Sequence, residues 1–263
     1  MRYDFLTRKR LMTLGSLLAI MLITWGAALL TRFDAGQGLS AIPAALSWGI
    51  ENFYPDEKAW RRLPGIMDKL LDTVLLAVAS TTVAAMAALV CAVGGSRTMR
   101  LNRWFGLISR GMASIFRNID IAAWAIILLF SFGQSALTGY FALLFASFGF
   151  LTRAFMEAID EMSSSAVEAL RATGAGYITI VCRCVIPSCA PQLVSWMLFM
   201  METNIRSATL IGILTGTGIG FAFDVYYKGM NYHAASLVVI VIAAAILLIE
   251  AGSNVIRSMI LRG

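Results

Sequence analysis

Five long stretches of this chain hold no Asp, Glu, Lys or Arg: Leu11–Thr31, Thr73–Ser96, Ile121–Thr152, Cys184–Met201 and Gly229–Ile249. A helix needs about 20 apolar residues to cross the hydrocarbon core of a bilayer. It also satisfies its own backbone hydrogen bonds there, which lipid cannot do. The third stretch, Ile121–Thr152, is longer than one ordinary crossing. Its middle, Ser131-Phe132-Gly133-Gln134-Ser135 and then Thr138-Gly139, is turn chemistry. The chain is therefore expected to be an all-α polytopic membrane protein with about six spans. One lies at the N-terminus, and the others are near 73–96, 119–133, 137–157, 187–211 and 232–256. Composition agrees: 59% of the 263 residues are apolar and 14% charged, against about 25% charged in soluble domains. Residues 1–68 are expected to form the first span and an outer loop, and 69–263 a helical core.

Charge sets the expected orientation. With six spans and both ends inside, fourteen of the twenty-one basic residues fall on inner segments, among them Arg97, Arg100, Arg103, Arg110, Arg117, Arg153, Arg171 and Arg183. Six fall outside, from Arg32 to Lys228, and Arg206 remains inside a span. Lys and Arg favour the cytoplasmic side, so both termini are placed there. The net charge of +6 then reports membrane orientation and does not call for nucleic acid. The N-terminal run follows Arg8-Lys9-Arg10 as a secretory signal would. It is too long for one, with no small-residue cleavage pattern after it, and reads as a retained span.

No constellation for catalysis is visible. The chain has no G-x-x-x-x-G-K-[ST], H-E-x-x-H or G-x-S-x-G, and its one histidine, His233, has no evident Ser or Asp partner. Cys182, Cys184 and Cys189 cluster, but the fourth ligand of a metal site is missing nearby. They read as small apolar filler. The chain is expected to be no enzyme, with no metal and no cofactor of its own, and a transporter would draw its energy from another subunit.

The segment 158–186 joins two spans on the inner side. Ser165-x-x-Glu168 has the spacing of a capping box, Ala166–Thr173 allows two helical turns, and Gly174 supplies a left-handed end. So short a helix is marginal unless it docks on something, and a cytoplasmic receiver is expected. Here a resemblance enters. Glu168-Ala169-Leu170, then Gly174, Cys184, Ile186 and Pro187 are similar to the EAA loop of type I ABC importer permeases, E-A-A, three residues, G, nine residues, I, one residue, L-P. Glu168, Ala169, Gly174 and Pro187 match, while Leu170, Cys184 and Ile186 depart from it. The resemblance implies that Ser165, Glu168, Ala169, Leu170, Gly174 and Pro187 belong to a coupling element seated on an ATPase subunit. It also implies two ATP-binding subunits carrying ATP and Mg, a second permease, identical or not, and an extracytoplasmic substrate-binding protein in a bacterial inner membrane. "EALRATGA" and the N-x-R-S-A-x-x-x-G segment from Asn204 to Gly212 resemble the phosphonate permease branch. Thr215-Gly216-Thr217-Gly218-Ile219-Gly220 departs from the G-A-G-G-I-G-like run of that branch. The similarity spans roughly 65–260 and implies phosphonate or a related phosphorus oxyanion as cargo. A different small anion, or an ion-gradient-driven secondary transporter, is the alternative. The latter would need internal repeats, and none is visible.

Within the fifth span, Gln192, Ser195, Phe199, Glu202, Arg206 and Thr209 follow helical spacing and share one face. Glu202 and Arg206 are an i, i+4 pair in the favourable order. Ionisable groups in a span usually face the bundle interior or a water-filled path. The stripe is thus either a substrate path or carries a structural ion pair. Asn204 and Ser207 lie off it and are expected to bond neighbouring helices or the second permease. Gly216, Gly218 and Gly220 are expected in a tightly turning or flexible segment, a helix contact or a gate. Arg103, Arg110 and Arg117, seven apart, place a basic stripe on a helix between the second and third spans, either a positive anchor or a face for lipid phosphate or other anions.

Overall fold

The computed structural model describes the backbone of residues 2–162 and 164–262, and the side chains of these residues except at 2–8, 35, 164, 261 and 262. Ser163, within the expected inner loop 158–186, lies outside the described residues, as do the side chains of Arg2, Arg8 and Arg262. Every regular element described is helical. Two compact units are present, Met1–Phe53 and Tyr54–Gly263.

The first unit holds α1 (Arg2–Leu30) and α2 (Ala35–Asn52). The apolar run of α1 is long enough to span. The segment expected as an outer loop is instead largely helical. Asp34 starts α2 by accepting from the backbone N–H groups of Gly36 and Gln37, which satisfies donors that a helix start leaves open.

The second unit begins with the single turn α3 (Glu57–Trp60), capped by Asp56 through Ala59 N–H. Next comes α4 (Leu63–Gly95), which starts at Leu63 rather than 73 because Pro64 sits in its first turn, where its missing N–H costs nothing. The third expected span, 119–133, is a shorter helix joined at a sharp bend to the helix expected before it. α5 (Arg103–Asn118) meets α6 (Ile121–Phe132) at 93°. Asp120 fixes the bend by accepting from Ala122 N–H and so beginning a new helix. At about 1.5 Å per residue, α6 alone is about 18 Å long, too short for a full crossing. Counting this bent pair as one, the helices long and apolar enough to cross number up to six. The turn expected after Phe132 is present, with Gly133 at φ 66°.

α7 (Ala136–Met162) is the most buried of the spanning helices. α8 (Ser164–Ala172) and the single turn α9 (Tyr177–Ile180) follow. A π turn, Val181–Val185, then leads into α10 (Ile186–Thr215). Its Ile186 N–H bonds to Val181 O. Pro187 offers no N–H and crowds the preceding helical turn, and the wider π spacing accommodates that break in the ladder. α11 (Gly218–Lys228) and α12 (Tyr232–Arg262) complete the chain. α11 was not anticipated, because it is too short to register as a span.

α4, α7 and α10 pack together as the centre. The main core is small on the α4 side (Ala84, Ala88, Ala92) and larger on α7 (Leu151, Phe155, Ile159). Small residues let helices approach closely, as membrane packing requires. α5 approaches α7 so closely that a Cβ on Gly149 would lie 2.5 Å from Arg117 N and 2.7 Å from Phe116 C. Rings of Phe116, Trp124, Phe145 and Phe148 fill the bend between α5, α6 and α7.

Candidate functional site: an ion-paired face and a docked short helix

Asn204 is the anchor of the site. It is 0% exposed. Its Nδ2 donates to Thr81 Oγ1 of α4 at 2.7 Å and to Ser147 Oγ of α7 at 2.6 Å. Those hydroxyls give their own hydrogens to Ala77 O and Leu143 O, so each is free to accept. One amide therefore ties three helices together and fixes the rotation of α10 about its axis. The expectation that Asn204 bonds neighbouring helices holds. Its partners Thr81 and Ser147 were not singled out, since hydroxyls inside a span give no pattern until the helices are packed. Ser207 is half-buried, and no helix-bridging bond of its side chain is among the described contacts.

With Asn204 turned inward, the polar stripe turns away from the core. Gln192, Phe199 and Arg206 are exposed, and Ser195, Glu202 and Thr209 half-buried. Arg206 Nη2 donates to Glu202 Oε1. The Glu202 side chain is 11% exposed and that of Arg206 is 49% exposed. The carboxylate thus holds one edge of a guanidinium that is half exposed, with no other hydrogen bond of its side chain among the described contacts. Ser195 Oγ donates to Pro191 O and Thr209 Oγ1 to Ile205 O, so these hydroxyls present lone pairs outward. Beside the stripe, Phe150, Trp196 and Phe199 form an aromatic wall.

At the far end of α10 the glycine run makes a tight turn and a helix contact. Gly216 ends α10 in the left-handed region (φ 69°), and its N–H bonds to Gly212 O. Gly218, at φ 64°, opens α11, and Thr73 Oγ1 accepts from Ile219 N–H at 2.9 Å. A Cβ on Gly220 would lie 1.8 Å from Thr209 O, so α11 crosses α10 backbone to backbone there. Lys69, Asp72, Thr73, Thr215 and Gly216 line a cavity of about 390 Å³ beside the turn. Thr73 was not foreseen.

At the other end sits α8. It begins at Ser164, so Ser165 lies inside the first turn and is not the cap that the S-x-x-E spacing suggested. A run of serines offers several starts of similar propensity, and spacing alone cannot choose among them. The end is as expected: Gly174 has φ 79°, its N–H bonds to Arg171 O, and Ala175 N–H bonds to Leu170 O. That is the Schellman pattern. Val167, 0% exposed, and half-buried Leu170 dock α8 on the main core. Ser165, Glu168, Ala169 and Gly174 remain exposed, as does Pro187 at the start of α10. One side of α8 is therefore packed within this chain, and the side bearing Ser165, Glu168 and Ala169 is left exposed.

Two residues outside the expected set hold this region. Asp160, near the end of α7, accepts from the backbone N–H groups of Arg97 and Thr98 and from Thr98 Oγ1. Arg171 of α8 donates to Thr98 O at 2.7 Å. The connection between α4 and α5 is thus bonded to both α7 and α8. Of the cysteines, Cys184 and Cys189 are buried in the main core and Cys182 is exposed, consistent with filler at the first two.

Comparison with known proteins agrees with this geometry. Residues 80–262, more than half of the chain, match the family model described as the inner membrane component of binding-protein-dependent transport systems. The chain is 29% identical over 238 residues to the phosphite transport system permease protein PtxC of Stutzerimonas stutzeri, covering 90% of this chain and 84% of that one. It is 28% identical over 191 residues to the phosphate-import permease protein PhnE of Mycolicibacterium smegmatis, covering 73% of this chain and 36% of that protein. Among solved structures, the MetNI methionine ABC transporter in an inward-facing conformation matches with a TM-score of 0.66 at 18% identity, over 78% of this chain and 99% of that one. That likeness concerns the fold. The chain belongs to the family of inner-membrane permease components of ABC-type, binding-protein-dependent importers, which transport without themselves being the catalyst of ATP hydrolysis.

Proposed function

We propose that this permease carries phosphonate or a related phosphorus oxyanion, along a path formed between its α10 face and that of a second permease. Symmetric pairing of two such faces is the usual way a path is closed by like subunits. Two ATP-binding subunits receive the exposed side of α8, and an extracytoplasmic binding protein delivers the anion. The observation that carries the reading is the Glu202–Arg206 pair. Its carboxylate is largely covered and its guanidinium half open, on the face that Asn204 turns away from the core. A guanidinium presents a planar fork that fits phosphorus oxyanions, whereas an ammonium does not. The names of the relatives point to the same cargo class.

In this account Glu202 holds the fork when the path is empty and yields part of it when the anion arrives. Arg206→Lys preserves the charge and leaves Asn204 untouched, so assembly is expected to survive. Uptake at low substrate concentration is expected to fall at least tenfold, since a bidentate charge-assisted contact is lost. Native uptake by Arg206→Lys across a range of concentrations assigns the pair a purely structural role.

In this account both termini lie in the cytoplasm, with α8 on the same side. Cysteines introduced at Asp34 and Asp224 are expected to react with an impermeant thiol reagent applied to intact cells, and one at Ser164 is not. Labelling at Ser164 from outside inverts this topology.

A further inference from the structure

α5 presents three faces. Gly106, Ser109 and Ala113 are buried against the rest of the unit. Trp104 (69% exposed), Ile108 and Ile115 project apolar surface outward. Arg103, Arg110 and Arg117 run along a third edge, on nearly one line because their sevenfold spacing makes almost two full turns. The helix meets α6 at 93°. If α6 points into the bilayer, α5 lies along its surface. A helix with one apolar face and one basic face in that attitude sits at the boundary between acyl chains and headgroups.

A groove of about 540 Å³ opens on this edge, lined by Arg100, Arg103, Trp104, Leu107 and Arg110. It contains three guanidinium groups and no carboxylate. Among the described residues, none of the three arginines has an ion-pair partner, although Arg110 is half-buried. We infer that this groove binds the phosphate headgroup of an anionic phospholipid, with Trp104 and Leu107 against the upper acyl chains. A free oxyanion would use the arginines but would leave the exposed indole and leucine beside them without a role. A lipid uses both.

The consequence reaches the inner helix. Arg100 is close in sequence to Thr98, whose carbonyl receives Arg171 of α8 and whose N–H is held by Asp160. A headgroup on Arg100 and Arg103 therefore steadies the segment to which α8 is bonded.

The test titrates the full chain in detergent with brominated phosphatidylglycerol and, separately, with brominated phosphatidylcholine, following tryptophan quenching. Both lipids are expected to quench the other lipid-facing tryptophans without saturation, and phosphatidylglycerol alone to add a saturable component that Trp104→Phe removes. Arg100 and Arg103 are both exposed, so the double variant Arg100→Gln/Arg103→Gln should keep its fold. Its midpoint is expected to rise about 25-fold, from roughly fivefold per arginine. A saturable component of the same midpoint with phosphatidylcholine in the native chain overturns the inference without recourse to any variant. So does an unchanged midpoint in the double variant. Displacement of the lipid by millimolar inorganic phosphate also overturns it, by assigning the groove to a free anion.

Discussion

Gly220→Ala is expected to disrupt the junction of α10 and α11, where its Cβ would make the shortest contact of any described glycine. The added Cβ would lie 1.8 Å from Thr209 O and 2.9 Å from Thr209 C. The obstacle is backbone, so no rotamer change relieves it, and one helix must move. Overpacking typically costs about 1–3 kcal/mol and occasionally more, and this contact belongs at the upper end. The movement also displaces Thr209 at the end of the polar stripe and the Ile219–Thr73 bond. The variant should still insert, because its spans remain apolar, but should melt at a clearly lower temperature in detergent and lose uptake. Gly111→Ala on α5 is the control: a Cβ there meets nothing within 4 Å, and alanine gains about 0.5–1 kcal/mol over glycine inside a helix. Equal melting of Gly220→Ala and the native chain contradicts the helix crossing described here.

The second large effect is expected at α8, where the change is functional. Gly174 ends the helix at φ 79°, where a side chain costs about 1–2 kcal/mol, or roughly 5–30-fold in the population of the docked conformation. Its Cβ would meet no neighbour within 4 Å, so Gly174→Val acts through the backbone alone. Glu168 is exposed, so Glu168→Ala leaves the fold intact and removes a charge from the free side of the helix. Combined, the two are expected to leave insertion and subunit number unchanged, while ATP hydrolysis no longer responds to substrate and uptake falls more than tenfold. Normal substrate-stimulated hydrolysis and uptake in the double variant remove α8 from the coupling role.

Much of this arrangement is legible in the sequence, for physical reasons. Long charge-free runs mark spans because lipid tolerates little else, and Gly133 marks the break in the longest run because a positive φ favours glycine. Glu202 and Arg206 are visible because an i, i+4 spacing on a helix places side chains on one face. The bend between α5 and α6 is not visible in that way. The run from Ile121 has the hydropathy of a span, and Asp120, acting as a cap, sets where the helix starts. α11 is hidden because it is too short to satisfy any span criterion, and because its glycines serve a crossing with α10 that exists only in three dimensions. The Ser165 capping box fails for a local reason, several serines competing for one role. Asp160 and Arg171 meet at Thr98 from far along the chain, a separation over which no periodicity operates.

The central claim is that this permease moves a phosphorus oxyanion only when ATPase subunits act on it. ATP-driven uptake of labelled phosphonate by proteoliposomes measures this directly, with the chain reconstituted together with its ATPase and binding-protein partners. Competition by unlabelled phosphite, phosphate and sulfate completes the assay. The account predicts uptake that requires ATP and both partners, that phosphite or phosphate suppresses, and that sulfate leaves unchanged. Uptake by the chain alone on an ion gradient, or ATP-driven uptake insensitive to every phosphorus oxyanion, contradicts it.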